Sequence, residues 1–455
     1  MPGNMSFADL KKATKDGRID TVVACFADMQ GRLMGKRFHA AHFVSSAWEE
    51  THSCNYLLAT DMEMETVAGF AATSWERGYG DYVMKPDLTT IRLAPWAEAT
   101  AFVLCDLIDH HTHEAVPHSP RAILQAQVAR LAAMGLSAKA ATELEFFVYK
   151  ESYDEAEAKG YRNLTPISPY NEDYHIFQTA KEEGLMRAIR NGLFGAGVPV
   201  ENTKGEAAPG QAEVNIRYAD AVDMADTHVF AKHAIKEIAF RAGRTVTFMA
   251  KPHMGVSGSS AHVHQSLWTD KGKPAFYDAE APHGMSDTMK SWLAGLMKYA
   301  PDYTYFLAPY LNSYKRFARG TFAPTKIIWS LDNRTAGFRV VAEGTKAVRY
   351  ECRIGGVDLN PYLALAALIA AGIKGIEGKL TLEPVFVGDA YAAQNAPDIP
   401  VTLHSAVETL RGSDMLRAAF SDEVVDHYVR AGEWEQEDFA HAVTDYEITR
   451  GFERS

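Results

Sequence analysis

The chain has 455 residues, 47% of them hydrophobic, with a formal net charge of −12 and four cysteines. That length holds roughly two or three domains, and the composition is that of a globular chain, not a disordered or fibrous one. The acidic balance excludes general nucleic-acid binding, and cysteines at Cys25, Cys54, Cys105 and Cys352 fit neither a disulfide framework nor a metal-ligand spacing, which points to a reducing compartment, the cytoplasm.

The first ten residues carry neither a basic stretch nor an apolar run, so no signal peptide is expected. Phe7 to Asp16 has helical spacing, Thr21 to Ala27 reads as a strand, Gly31 marks a turn and Phe102 to Leu107 reads as another apolar strand. Together they describe a small α+β unit. A polar, His-rich connector covers Asp109 to Ser119. Pro120 then opens a helix to about Leu131, with Ser119 as N-cap. The domain boundary is placed near His113, giving an N-terminal domain over 1–113 and a larger domain of alternating helices and strands over 114–455. Asp154 to Tyr174 is polar, contains Pro166 and Pro169, and reads as a surface loop. The longest apolar run, Tyr362 to Gly372, falls short of the ~20 residues that cross a bilayer. It reads as a buried helix behind Asn360-Pro361, and no membrane association is expected. From Ser421 onward the pattern is of helices rich in acidic and aromatic residues.

Four segments of the larger unit put charged or metal-binding side chains at every second position: Glu143-Leu144-Glu145, Glu213-Val214-Asn215, His262-Val263-His264-Gln265-Ser266 and Arg349-Tyr350-Glu351-Cys352-Arg353. In a strand such residues share one face, and their mostly apolar neighbours share the other. The chain therefore builds a sheet with an apolar back and an ionic front, which is costly unless cations neutralise it. Taken alone, E-x-E describes any solvated strand. Glu206 and Glu213 flank the turn-forming Pro209-Gly210-Gln211, which folds the first carboxylate back toward the second. The Gly/Ser-rich segment Lys251 to Ser266 is more specific, because such a loop brings backbone N–H groups close to an anion and feeds a strand carrying His262 and His264. Lys315, Arg316, Arg334, Arg339, Lys346, Arg349 and Arg353 concentrate positive charge, and the arginine fork matches carboxylate and phosphate oxygens. Mixed carboxylates and imidazoles suit Mg²⁺ or Mn²⁺ better than a closed zinc site. Cations and arginines around one cavity describe phosphoryl transfer.

In their order along the chain these motifs resemble the glutamine synthetases and their γ-glutamyl–amine ligase relatives. The resemblance rests on the E-x-E-F-F strand from Glu143, E-x-x-P-G-Q-x-E from Glu206, K-P…H-x-H-x-S from Lys251, N-S-Y-K-R from Asn312, N-R at Asn333, and R-x-E-x-R from Arg349 with N-P-Y-L behind it. It implies an α+β fold, with a small N-terminal β-grasp-like domain beside a large catalytic α/β domain on a curved antiparallel sheet. It also implies metal ligands at Glu145, Glu206 and Glu213 near glutamate and at Glu143, His262 and Glu351 near the ATP phosphates, for roughly two or three Mg²⁺ or Mn²⁺ ions. Gly258, Arg316 and Arg353 match residues that hold glutamate. His264, Ser266, Arg334, Arg339, Lys346 and Arg349 match positions around ATP, and Arg334, Arg316 and Arg353 are the expected catalytic cations. L-Glutamate, ATP and a small amine are the implied partners. The implied assembly is a double-ring decamer or dodecamer, with each active site between neighbouring subunits.

The amine pocket departs from the ammonia-using members. Their aspartate-glycine-serine-serine stretch would fall near Val67-Ala68-Gly69-Phe70, and Phe322 stands where their flap has a glutamate. Ser257 stands where they have an asparagine near the glutamate α-amino group. Ammonium must be bound and deprotonated, which carboxylates do and a phenyl ring does not. A phenyl ring does offer contact to a hydrocarbon substituent, worth ~25 cal/mol per Å² buried. The expected activity is therefore ATP-dependent joining of glutamate to a substituted amine, arylamine or alkylamine, through γ-glutamyl phosphate. Polyamine or ethanolamine ligation, authentic glutamine synthesis, a phosphagen-type kinase and a non-catalytic relative of the fold remain as alternatives. Asp61, Glu63 and Glu65 alternate on a possible strand that would supply a carboxylate for the amine, and Arg319 to Pro324 is the expected lid, hinged at Gly320.

Overall fold

The strand Thr21–Ala27 is buried on both faces. Val22, Ala24 and Phe26 point to a small core shared with Leu10 and Ala13 of the helix Phe7–Lys15, while Val23, Cys25 and Ala27 join the main core of the molecule. Period two thus lets one strand serve two layers. These positions come from a computed structural model that describes residues 3–455; Met1 and Pro2, the start of the segment read for a signal peptide, lie outside them. Around this strand runs a sheet in the order Leu33–His39, Thr21–Ala27, Thr100–Asp109, Asp81–Pro86, Thr51–Cys54. The pair Thr21–Ala27 and Thr100–Asp109 is parallel, and the others are antiparallel.

The second sheet runs Trp329–Leu331, Phe338–Val341, Arg349–Cys352, Val263–Thr269, Leu136–Tyr149, Gln211–Ile216, Val200–Gly205. Only its first pair is parallel. Behind it lies the helix Pro361–Glu377, buried along almost its whole length. Its neighbour Asp287–Lys298 approaches so closely that a Cβ on Gly372 would lie 2.2 Å from the Trp292 ring. Asn360 caps Pro361–Glu377 by accepting from Tyr362 N (3.1 Å), and its amide donates to the carbonyls of Asp28 (3.0 Å) and Met29 (3.1 Å). The turn that reads as Gly31 in the sequence is so fixed to the helix start; Gly31 has φ +75°.

Two buried polar nodes tie the first sheet to the helices around it. Arg121 forks to Asp226 (3.0 and 2.9 Å), Asp106 (2.6 Å) and Asp87 (2.8 Å), and Asp226 also accepts from Tyr362 Oη (2.6 Å). His118 and His427 stack with ring centres 4.3 Å apart; His118 pairs with Tyr82 Oη (2.8 Å) and His427 with Leu58 O (2.8 Å). Among the described residues no helix is long and apolar enough to cross a membrane.

Three expectations change. Ser119 occupies the N-cap of Pro120–Ala133, but its side chain makes no capping bond. The stretch Asp154 to Tyr174 is not all loop, because Ser152 and Glu155 form a capping box that starts the helix Tyr153–Ala158. Asp61, Glu63 and Glu65 are not on a strand. Asp61 Oδ1 accepts from the backbone N–H of Glu63 (3.1 Å) and Glu65 (2.8 Å), Met64 takes φ +70°, and the segment closes into a turn.

Candidate active site

Strand register assembles the ionic face. Glu145 lies opposite Glu213, Glu143 opposite Asn215, His264 opposite Glu351, and Glu351 opposite Arg339. Glu143 N donates to His262 O (3.1 Å), which sets His262 at the same level as the two carboxylates. The intervening Leu144, Val214, Val263, Tyr350 and Cys352 are all buried on the other face. Gln211–Ile216 returns from Val200–Gly205 through a turn with Gly210 at φ +72°, and there Glu206 N donates to Gln211 O (2.9 Å). A Cβ on Gly210 would lie 2.9 Å from Val148 O, so the turn that carries Glu206 back needs glycine.

One ligand atom from each of Glu145, Glu206 and Glu213 lies within 4.8 Å of the others, and the same holds for Glu143, Glu145 and His262 and for Glu143, His264 and Glu351. His262 Nδ1 is 2.6 Å from Glu143 and 3.3 Å from Glu351, and His264 Nε2 is 3.0 Å from Glu143. Burial, then Glu213 and Glu143, pushes the Glu145 carboxyl up to about 8. Burial opposes charge on Glu143 too, but the charge of His262, then the hydrogen bonds from His262 and His264, outweigh it and hold that carboxyl well below its usual range. Burial and Arg353 lower the pKa of His262 against the pull of Glu143 and Glu351. His262 Nε2, His264 Nδ1 and Gln211 Oε1 are buried with no hydrogen-bond partner. Crowded carboxylates, imidazoles and orphaned buried acceptors are the surroundings a hard divalent cation satisfies, so the residues fit such ions.

These groups open onto a cavity of about 590 Å³ that Gly258, Arg316, Phe322, Arg334, Arg339 and Arg353 also line. A Cβ on Gly258 would sit 2.4 Å from Ala250 O, so only glycine lets this loop pass. Arg353 pairs with Glu351 and donates to Phe322 O (3.2 Å), while its Nε is buried without a partner. Arg316 is 1% exposed. Its donors go to Ser260 Oγ (3.2 and 2.8 Å), Ile354 O (2.8 Å) and Arg353 O (2.8 Å), so it holds the backbone from which Arg353 reaches inward. Gly320 (φ +74°) and Phe322 (φ +59°, 52% exposed) form the rim.

A second cavity of about 670 Å³ meets the first at Glu143 and holds His264, Ser266, Lys346 and Arg349. The nucleotide-side residues therefore divide: these four line the second cavity, and Arg334 and Arg339 line the first. Arg339 bonds Asp332 (3.0 and 2.5 Å) and Glu351 (2.8 Å). Asp61, Glu63 and Glu65 line neither. Val67 and Phe70 are buried instead, Phe70 with its ring centre 4.5 Å from that of His427.

The structure adds residues the sequence reading missed. Lys204 lies opposite Glu213 in the register, 2.9 Å from its carboxylate, and also pairs with Glu206. Burial disfavours its ammonium, but Glu213 outweighs that and its pKa is raised. Asp173 and Tyr174 line the same cavity, and Gln211 Nε2 bridges Gly258 O (3.0 Å), Ser259 Oγ (3.1 Å) and Glu145 (3.3 Å). The one sequence signal for Lys204 was its place two residues before Glu206.

The family profile described as glutamine synthetase, catalytic domain, matches residues 117–451. The chain is 46% identical over 439 residues to a gamma-glutamylethanolamide synthetase of Streptomyces coelicolor, covering 96% of this chain and 94% of that protein. It is 36% identical over 435 residues to a glutamate–isopropylamine ligase of a Pseudomonas species, covering 95% of each. A solved structure of a GmaS/ADP complex superposes with a TM-score of 0.84 at 26% identity, over 98% of this chain and 99% of that one.

Proposed function

The chain belongs to the glutamine synthetase family, and from that premise we propose that it is an ATP-dependent ligase joining the γ-carboxylate of glutamate to a substituted amine. The observation that carries the reading is the single cavity in which Glu145, Glu206, Glu213, His262, Glu351 and Arg353 meet, with Phe322 at its rim. Two relatives named for ethanolamide and isopropylamine chemistry support a substituted acceptor.

Glutamate binds with its carboxylates toward Arg353 and the loop at Gly258, and Arg316 keeps that wall in place. ATP takes the second cavity and directs its phosphates past Glu143. A γ-carboxylate oxygen attacks the terminal phosphorus, ADP leaves, and γ-glutamyl phosphate forms. Arg334 and Arg339 line that path and offset the moving charge. Glu145, Glu206 and Glu213, and Glu143, His262 and Glu351, would hold Mg²⁺ or Mn²⁺, which would supply charge neutralisation for the phosphates. The amine nitrogen then attacks the acyl carbon, the C–O bond to phosphate breaks, and the amine's proton passes to a base. Among the described residues Asp173 is the only carboxylate lining this cavity outside the proposed metal set, and we assign it that role. The rim from Arg319 to Pro324 keeps water from the acyl phosphate.

The division into 1–113 and 114–455 is supported by the separate core of the N-terminal sheet. A double-ring decamer or dodecamer is supported by the open amine side of the cavity and by exposed Val443, Tyr446 and Phe452. Free thiols at all four cysteines support a cytoplasmic setting. The test is steady-state phosphate release with ATP, glutamate and a panel of ammonium, aniline, ethanolamine and putrescine. A substituted amine giving the highest kcat/KM supports the reading; ammonium giving it refutes the substituted-amine assignment.

A further inference from the structure

A narrow chamber of about 50 Å³ lies where residues 29–70 of the N-terminal segment meet the helix Asp422–His441, and it shares no residue with the two cavities described above. Phe70, Tyr305, Phe306, Tyr310, Tyr428 and Trp434 supply its rings, and Asp61, Asp358 and Glu435 supply three carboxylates. Among the described residues no lysine, arginine or histidine lines it. Asp61 is committed, since its Oδ1 accepts from the backbone of Glu63 and Glu65 and its Oδ2 from Trp434 Nε1 (3.2 Å). Asp358 is not. It is 8% exposed, its Oδ2 accepts from Ser313 Oγ (2.7 Å), and its Oδ1 is buried with no hydrogen-bond partner.

Buried carboxylates without a cation are costly. Burial, then Glu63, Asp438 and Asp358, push Glu435 up to about 7 against a hydrogen bond from the Leu311 backbone. Burial raises Asp358 too, against Ser313 and Lys232, and the Lys232 side chain is turned to Val357 O (2.8 Å). A cation in the chamber would relieve both carboxylates. The lining decides which kind. A hard metal ion takes roughly six or more oxygens at close range, and among the described residues these carboxylates are not gathered as Glu145, Glu206 and Glu213 are. Ring faces attract an organic ammonium and cover its alkyl part. Space for roughly three to five water-sized atoms limits that ion to a small one.

We propose that this chamber is a second, non-catalytic site that binds one small alkylammonium ion, with its nitrogen between Asp358 and Glu435 and its alkyl part among the rings. The probe is ethylammonium chloride, titrated by calorimetry into the full chain with saturating Mg²⁺. A binding step should appear that ethanol, close in shape and uncharged, does not give. Glu435→Gln and Asp358→Asn should each weaken that step by about tenfold or more, whereas Asp173→Asn, in the catalytic cavity, should leave it unchanged. Ethylammonium chloride should also raise the melting temperature of the Asp173→Asn chain above its value in equimolar potassium chloride; that measurement needs no change inside the chamber. Ethanol binding as well as ethylammonium, equal melting temperatures in the two salts, folded Glu435→Gln and Asp358→Asn chains that both bind as before, or loss of the step in Asp173→Asn would overturn the inference. Each of these outcomes leaves the ligase reading intact, because that reading is tested by amide formation and not by binding at this joint.

Discussion

On the proposed reading, Phe322 is a single side chain on which acceptor choice turns. It takes φ +59° and is half exposed at the cavity, so its ring is open to an acceptor there. Phe322→Glu restores a carboxylate able to bind and deprotonate ammonium. Steady-state assays on this variant should show ammonium gaining about tenfold or more in kcat/KM relative to an alkylamine; an unchanged ratio would place the amine elsewhere. Lys204 and Glu145 show what the sequence hid and what it showed. Glu145 was legible because Glu143, two residues away, shares its face, and the chain itself states that spacing. Lys204 owes its role to the residue across the ladder, Glu213, and register across a hairpin is not written in either strand alone.

The same alternation that marked the ionic strands misled at Asp61, Glu63 and Glu65. There the Asp61 carboxylate captures two backbone N–H groups within its own segment, and local capture by a short acidic side chain beats strand pairing. The long buried helix behind the sheet was legible from its apolar run, but its closest contact was not. A methyl group on Gly372 would meet the Trp292 ring at 2.2 Å, so Gly372→Ala should cost about 1–3 kcal/mol or more and lower the melting temperature. Where the C-terminal helix Asp422–His441 meets the N-terminal segment, burial lowers His118 to about 4 and, with His118 beside it, puts His427 well below its usual value. The unfolded chain binds protons at these rings near 6.5; in the folded chain His118 does not until near 4, and His427 stays well below its usual value. Stability is therefore full above about pH 6.5 and falls as pH drops toward 4, by roughly 3 kcal/mol for a ring so shifted. Thermal melts across this range should show a shallower acid limb in His427→Gln, which removes one titrating ring and keeps a donor for Leu58 O.

The whole molecule places an ionic sheet face against an apolar helical back, with the N-terminal sheet tied to the helices through Arg121 and the His118–His427 pair. Both joints were beyond sequence reading, because each draws on residues far apart in the chain, Asp87 to Tyr362 in one and Leu58 to His427 in the other. On the proposed reading, the two cavities that meet at Glu143 take a carboxylate on one side and a nucleotide on the other, with one path for a phosphoryl group between them. The direct test is oxygen transfer. Glutamate labelled with ¹⁸O in its γ-carboxylate is incubated with the enzyme, ATP, Mg²⁺ and an accepted amine, and the released phosphate is weighed by mass spectrometry. Passage through γ-glutamyl phosphate requires one labelled oxygen in each phosphate formed together with amide. Unlabelled phosphate accompanying amide formation would contradict it.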